Sequence, residues 1–265
     1  MGYQSIFKSE LFSGQTILVT GGGSGIGRCL AHELASLGAR PVLIGRREDK
    51  LRQVQTEIRE DGGQADIRVL DIRVEEDVAR VVASVLDEHG RIDGLVNNAG
   101  GQFPAPLELL NQKGWETVLR TNLTGGFLVA RECFTQYFAE HGGAIVNIAA
   151  DMFGGMPTMG HSGAARAGMV NFTQTAAVEW ARAGVRVNAV APGWVASAGL
   201  DSYTDPKVQA KLPLLHRAVP LQRLAEEAEV AAVICFLLSP AAAYLTGVCI
   251  PVDGGSTLNS RVFEL

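Results

Sequence analysis

The residues best suited to chemistry gather in a few short stretches. Thr20-Gly21-Gly22-Gly23-Ser24-Gly25-Ile26-Gly27 puts five glycines into eight positions, between an apolar run and a helical pattern. A turn of that composition suits a pyrophosphate. Gly21 lets the chain reverse, Gly25 lets backbone come close to the phosphates, and Gly27 lets helix and sheet pack tightly. Ser24 and Ile26 stand where a helix start presents free N–H groups and its positive dipole end. Further on, Gly45-Arg46-Arg47 follows the second apolar run. An acidic residue there would bind a ribose 2′-hydroxyl, whereas guanidinium forks beside a small residue suit a 2′-phosphate. NADP(H) is therefore expected over NAD(H), with solvated surface charges as the plain alternative for both arginines. Asp71, after the third run, is placed to meet the adenine, and Asn97-Asn98-Ala99-Gly100 closes the fourth.

The elements that must position these residues alternate along the whole chain. Strands are predicted over 16–20, 41–44, 67–70, 94–96 (begun by Ile92), 144–148, 185–190 and 248–252. Helices fall between them: one through Ile26, Leu30, Leu34 and Leu37, stopped by Gly38, then 48–60, 78–88 and 164–182. Uninterrupted apolar strands separated by helices predict a parallel sheet covered on both faces. Right-handed crossovers then give a doubly wound α/β sheet of the Rossmann type. No repeat, low-complexity tract or linker divides residues 1–265, so a single domain is expected. The stretch from about 193 to 224, with Pro206, Pro213 and Pro220 inside it, lacks a clean period and reads as a substrate loop.

Composition narrows the classes. The chain has 265 residues, 47% hydrophobic, enough to bury a large core without staples. Lys and Arg number 23 against 28 Asp and Glu, a net charge of −5, with no basic run. That argues against a nucleic-acid surface. Cys29, Cys133, Cys235 and Cys249 form no CxxC pair, so free thiols in a reducing compartment are expected, and no metal site. Residues 1–12 lack a signal-peptide pattern, and no apolar stretch is long enough to span a bilayer. The expectation is a cytoplasmic protein with no membrane partner.

Taken in order, Thr20-x3-Gly-x-Gly, Asp71, Asn97-Asn98-Ala99-Gly100, Asn122, Pro192-Gly193 and Asp253-Gly254-Gly255 resemble the short-chain dehydrogenase/reductase family over roughly residues 14–257. The resemblance implies a seven-stranded sheet, a nicotinamide cofactor and a homotetramer. It also implies that Asp71, Ile72, Asn98, Ala99 and Gly100 line the cofactor cleft. The backbone after Pro192-Gly193, as far as Val195, would hold the carboxamide.

The catalytic pattern departs from that family. Most members carry a Ser, then Tyr-x-x-x-Lys. Here the fifth strand ends Ile148-Ala149-Ala150-Asp151, and the next helix opens His161-Ser162-Gly163-Ala164-Ala165-Arg166. Ser162 stands where Tyr is expected, Arg166 where Lys is, and Ala149 or Ala150 replaces Ser; only Asn122 remains. A Ser hydroxyl does not ionise usefully near neutrality and a guanidinium keeps its proton, so ordinary alcohol–carbonyl proton exchange is disfavoured. Reduction of an enoyl thioester needs donors aimed at the acyl oxygen and then a proton for the α-carbon. The pattern resembles the enoyl-CoA and 2,4-dienoyl-CoA reductase branch, including the trans-2-enoyl-CoA reductases of peroxisomes.

Ser162 is the candidate for holding the thioester oxygen, with helix capping as its alternative. By the resemblance Arg166 meets the cofactor ribose, unless it is a helix-surface charge, and Asn122 kinks its helix and holds a water, as a structural or a proton-relay residue. Asp151 is a candidate proton donor if burial raises its pKa. Gln102, Phe103 and His161 are candidates to line the substrate cleft, with capping or packing as the alternative for His161, and Trp194, Leu200 and Tyr203 either cover an acyl chain or simply pack. The leading reading is an NADPH-dependent reductase of an acyl-CoA double bond. The alternatives are a dehydrogenase of an alcohol, ketone or 3-oxoacyl thioester, terpenoid-like substrates included, and a non-catalytic NADP(H)-binding protein.

Overall fold

The computed structural model describes residues 7–197, 209–210 and 212–259. Seven strands, β1 (Thr16–Thr20), β2 (Arg40–Gly45), β3 (Asp66–Val69), β4 (Gly94–Asn97), β5 (Gly143–Ile148), β6 (Val185–Pro192) and β7 (Cys249–Val252), form one sheet in the order β3-β2-β1-β4-β5-β6-β7. Every pairing is parallel. The order reverses between β1 and β4, and at such a switch point the strand ends open a crevice for ligands.

Side-chain alternation along the strands builds two cores. Ile17 and Val19 of β1 face α1 (Gly25–Ser36) and α7 (Glu227–Leu238), packing with Leu30, Leu34, Val230 and Ile234. Leu18 faces the opposite layer, with Val78 and Val82 of α3 (Glu75–His89) and Leu128 and Val129 of α5 (Gly125–Cys133). α2 (Glu48–Glu60) covers the β2 edge through Leu51, Val54 and Ile58. Both faces are thus buried, which is why the central strands read as unbroken apolar runs.

Two helices carry the site. α4 (Gln112–Leu119) runs into α5 through a π-helical turn at Arg120–Thr124. α6 (Gly160–Glu179) begins one residue before His161, where the motif opens it, and four before the periodic run expected from 164. Its first turn holds Gly160 and Gly163, poor helix formers that tertiary contacts override: Leu107 Cδ1 packs over Gly160 and Met156 over Gly163.

The predicted irregular stretch is partly ordered where it is described. Val195 pairs with Ala225, Ala196 N–H donates to Ala225 O at 2.8 Å, and Leu212–Ala218 is a 3₁₀ helix. Leu200 and Tyr203 lie outside the described residues. No helix among the described residues is long and apolar enough to cross a membrane.

Candidate active site

At the first crevice the glycines do what their spacing requires. Gly21 has φ +69°, a left-handed conformation that favours glycine. A Cβ on Gly27 would lie 2.5 Å from Asn98 Nδ2 and run into the Gly21 carbonyl, so only hydrogen fits. Ser24 precedes α1 without capping it by its side chain, which leaves the helix start and the serine hydroxyl open toward the turn. This cradle fits a pyrophosphate.

Thr20 braces its far side: its Oγ1 accepts from the N–H groups of Asn98 and Ala99, both at 3.0 Å, while Asn98 Nδ2 donates to Thr20 O. Arg46 and Arg47 are exposed and form no ion pair among the described residues. Asp71 is engaged by its neighbour. Arg73 Nε and Nη2 donate to its two oxygens at 2.9 and 2.6 Å, holding its pKa down at about 2. Ile72 is buried against Gly125.

The second crevice lies at the ends of β4 and β5. A buried chain of amides forms its floor: Asn97 Nδ2 donates to Asn147 Oδ1 at 2.9 Å, and Asn147 Nδ2 to Thr173 Oγ1 at 2.9 Å. This chain ties β4, β5 and α6 together. Asn122 sits in the π turn, its Oδ1 accepting from Gly101 N–H at 2.8 Å and its Nδ2 buried without a partner among the described residues. Arg166 Nη1 donates to the Ile148 carbonyl. Its Nε is buried and unpartnered, and no carboxylate pairs with it among the described residues. Burial lowers its pKa to about 10, so it stays a cation at neutral pH. Gly100 lies against both side chains, since a Cβ there would be 2.5 Å from Arg166 Nη2 and 3.2 Å from Asn122 Oδ1.

Ser162 and His161 are fully buried at the start of α6. Ser162 Oγ donates to Gln102 Oε1 at 2.6 Å, and the Phe103 ring meets the His161 ring edge-on, with centroids 4.6 Å apart. Asn122, Arg166, Gly100, Gln102, Phe103, His161 and Ser162 therefore belong to one neighbourhood.

Asp151 stands apart from it. Its N–H donates to Pro192 O at 2.9 Å, and it lines a cavity of about 300 Å³ with Trp194, Arg217, Ala218, Ser256 and Asn259. Burial, and then the charge of Asp253, raise its pKa from the ordinary aspartate value. Gly193 N–H donates to Val252 O at 3.0 Å, and Gly193 packs so closely on Asp253 that a Cβ would be 2.8 Å from its Cα. Val195 is buried at the neck of the following loop.

A family model described as "Enoyl-(Acyl carrier protein) reductase" matches residues 21–257. The chain belongs to the short-chain dehydrogenase/reductase family. As a member of that family it binds a nicotinamide cofactor, and the glycine cradle and switch-point crevice fit one. The solved structure of "citronellol catabolism dehydrogenase (AtuB)" from Pseudomonas aeruginosa PAO1 is 58% identical, covers 96% of this chain and 100% of that one, and superposes with a TM-score of 0.87. A peroxisomal 2,4-dienoyl-CoA reductase of Danio rerio is 34% identical over 261 residues, 97% of this chain and 86% of the relative. A glucose 1-dehydrogenase of Gluconobacter oxydans is 38% identical over 254 residues, 94% of each chain. The relatives are thus named both as a dienoyl-CoA reductase and as dehydrogenases.

Three residues with structural weight were not singled out by the sequence: Arg73, Asn147 and Thr173. Arg73 had no visible signal beyond its position two residues after an Asp. Asn147 inside an apolar strand was a usable one, because a central-strand amide must find a partner.

Proposed function

We propose that this protein reduces the carbon–carbon double bond of a 2-enoyl-CoA thioester at the expense of NADPH. The observation that carries the reading is the pairing of a serine with an uncompensated, buried guanidinium where an alcohol dehydrogenase of this family holds a phenol and an amine. Such a site offers hydrogen-bond donors and positive charge but no matched acid–base pair. Charge that develops on an acyl oxygen is stabilised there, in a dry environment where each donor counts for more.

Gly21, Ser24, Gly25, Ile26 and Gly27 would hold the cofactor pyrophosphate, and Arg46 and Arg47 the 2′-phosphate. Asp71, Ile72, Asn98, Ala99 and Gly100 would line its adenosine and ribose side, with Pro192, Gly193 and Val195 at the carboxamide. When bound, the nicotinamide supplies hydride to the substrate β-carbon. Ser162 turns its hydroxyl from Gln102 toward the acyl oxygen and donates to it as negative charge gathers there. Arg166 stabilises that enolate by its charge, and Asn122 holds a water through the Nδ2 that lacks a protein partner. Asp151 stands outside that cluster but, with a pKa that burial and Asp253 raise, is the candidate source of the proton that returns to the α-carbon. Gln102, Phe103 and His161 line the acyl site, and Trp194 covers the chain.

The 58% identical relative named for citronellol catabolism favours a second, narrower reading, in which the acyl group is branched and terpenoid. The rival reading is oxidation of a terpenoid alcohol, which requires a proton acceptor other than Ser162.

The test follows NADPH absorbance with crotonyl-CoA, a longer trans-2-enoyl-CoA, a 3-methyl-branched 2-enoyl-CoA and a panel of ketones, and follows NADP⁺ reduction with citronellol. Oxidation of NADPH by the thioesters alone is the expected result; turnover confined to carbonyls or alcohols would refute the proposal. We also expect a cytoplasmic homotetramer without nucleic-acid or membrane partners; sizing in solution checks the assembly.

A further inference from the structure

We infer that His161 is a second hydrogen-bond donor to the substrate's acyl oxygen, working beside Ser162 as a neutral imidazole. The inference rests on the enoyl-thioester reading above. His161 is fully buried, and its Nδ1 accepts from the Ser162 N–H at 2.8 Å. That N–H is one of the free donors of the α6 start, so the ring caps its own helix. An accepting Nδ1 carries a lone pair, which places the ring proton on Nε2. Nε2 is buried and has no hydrogen-bond partner among the described residues. A buried donor without an acceptor destabilises the fold, and an acceptor brought by a ligand would complete such a group.

Location says which ligand. The imidazole is anchored beside Ser162, and Gln102-Phe103 lies across both residues, with Gln102 on Ser162 and Phe103 on His161. Phe103 is 40% exposed, so its ring is the open side of that contact. An acyl group that takes the place of the Phe103 ring brings its carbonyl oxygen to Nε2–H, while the Ser162 hydroxyl reaches the same oxygen. Two donors then converge on the atom where charge gathers, and both strengthen as it does. The ring does not act as the acid. With Nδ1 tied to backbone, loss of the Nε2 proton would leave an imidazolate, so His161 polarises the carbonyl and keeps its proton, as neutral imidazoles do in other enzymes.

The experiment uses the whole protein with NADP⁺ and 2,4-hexadienoyl-CoA, a complex that cannot turn over and whose chromophore reports polarisation of the carbonyl. The wild type is expected to red-shift the dienoyl absorbance. H161F fills the volume without a donor; it should lose much of that shift and lower kcat by ~10²-fold, with KM and NADPH affinity little changed. A wild-type red shift and kcat in H161F would overturn the inference. Should H161F fail to fold, ¹H–¹⁵N spectra of the wild type replace it. A downfield move of the His161 Nε2 proton on adding the thioester supports the assignment, and an unmoved resonance overturns it. Turnover of enoyl thioesters with an unmoved proton removes this inference alone; absence of turnover by the wild type removes the reductase reading as well.

Discussion

Gly100→Ala is the sharpest probe of the arrangement around Arg166. Gly100 does not have a positive φ, so alanine is not excluded by backbone strain. The effect is steric. The new Cβ would fall 2.5 Å from Arg166 Nη2, 3.4 Å from its Cζ and 3.2 Å from Asn122 Oδ1. Comfortable separations are about 3.5–4.0 Å, so the guanidinium must withdraw by about 1 Å. Its bond to the Ile148 carbonyl and its lack of free space oppose that movement. Misplacing a catalytic group by about 1 Å costs ~10²-fold in rate, and the same factor is about 2.7 kcal/mol in the barrier. We expect kcat/KM for a 2-enoyl-CoA to fall by that factor and NADPH affinity, read by fluorescence, to weaken less. Gly154→Ala, with nothing within 4 Å of its Cβ, is the control and should be silent. A folded Gly100→Ala protein with wild-type kcat/KM would refute the claim that Arg166 and Asn122 act where they are placed.

Further outcomes follow from the same geometry. Arg46→Ala or Arg47→Ala should weaken NADPH by ~10-fold, the scale of one lost charge-assisted hydrogen bond, and leave NADH binding unchanged, as titration would show. As the proposed proton donor Asp151 would work in its protonated form, so activity should be full below its raised pKa and decline as pH rises through it. Asp151→Asn should lose most of kcat together with that limb of the profile. Asp71 behaves oppositely: Arg73 lowers its pKa from 3.8 to about 2. Its contribution to stability is therefore present above the unfolded value and lost as pH falls through the folded one. Arg73→Met should lower Tm at neutral pH and flatten the dependence of Tm on pH in that acid range.

The sheet was legible because its signal is local. Val146, Val187 and Val190 sit in runs that no helix face would produce, and the β5 and β6 boundaries moved by no more than two residues. The start of α6 was legible from the family motif, which opened the helix at His161, but not from periodicity, since Gly160 and Gly163 look like a loop until Leu107 and Met156 pack on them. The cofactor cradle could be read from glycine spacing alone, because each glycine answers a backbone requirement. Gln102, Phe103, His161 and Ser162 could be named by resemblance, but not how they meet. Ser162 meets Gln102 across 60 residues of chain, and nothing in either neighbourhood announces the partnership. Asp71 was correctly placed at a strand end, but its engagement by Arg73 depends on side-chain conformations that no pattern encodes. Family resemblance pointed to Arg166 and Asn122 as site residues; only packing shows that one is a cation without an anion and the other an amide with a spare donor.

The π turn at Arg120–Thr124 carries one residue more than an α-helical turn of the same rise would need. Deleting a single residue there would let α4 and α5 fuse into a regular rod, and every side chain upstream would rotate by roughly 100° about its axis. Asn122 would then swing away from the Gly101 amide. The placing of Asn122 against Gly101 thus depends on a surplus amino acid whose removal would make the helix tidier.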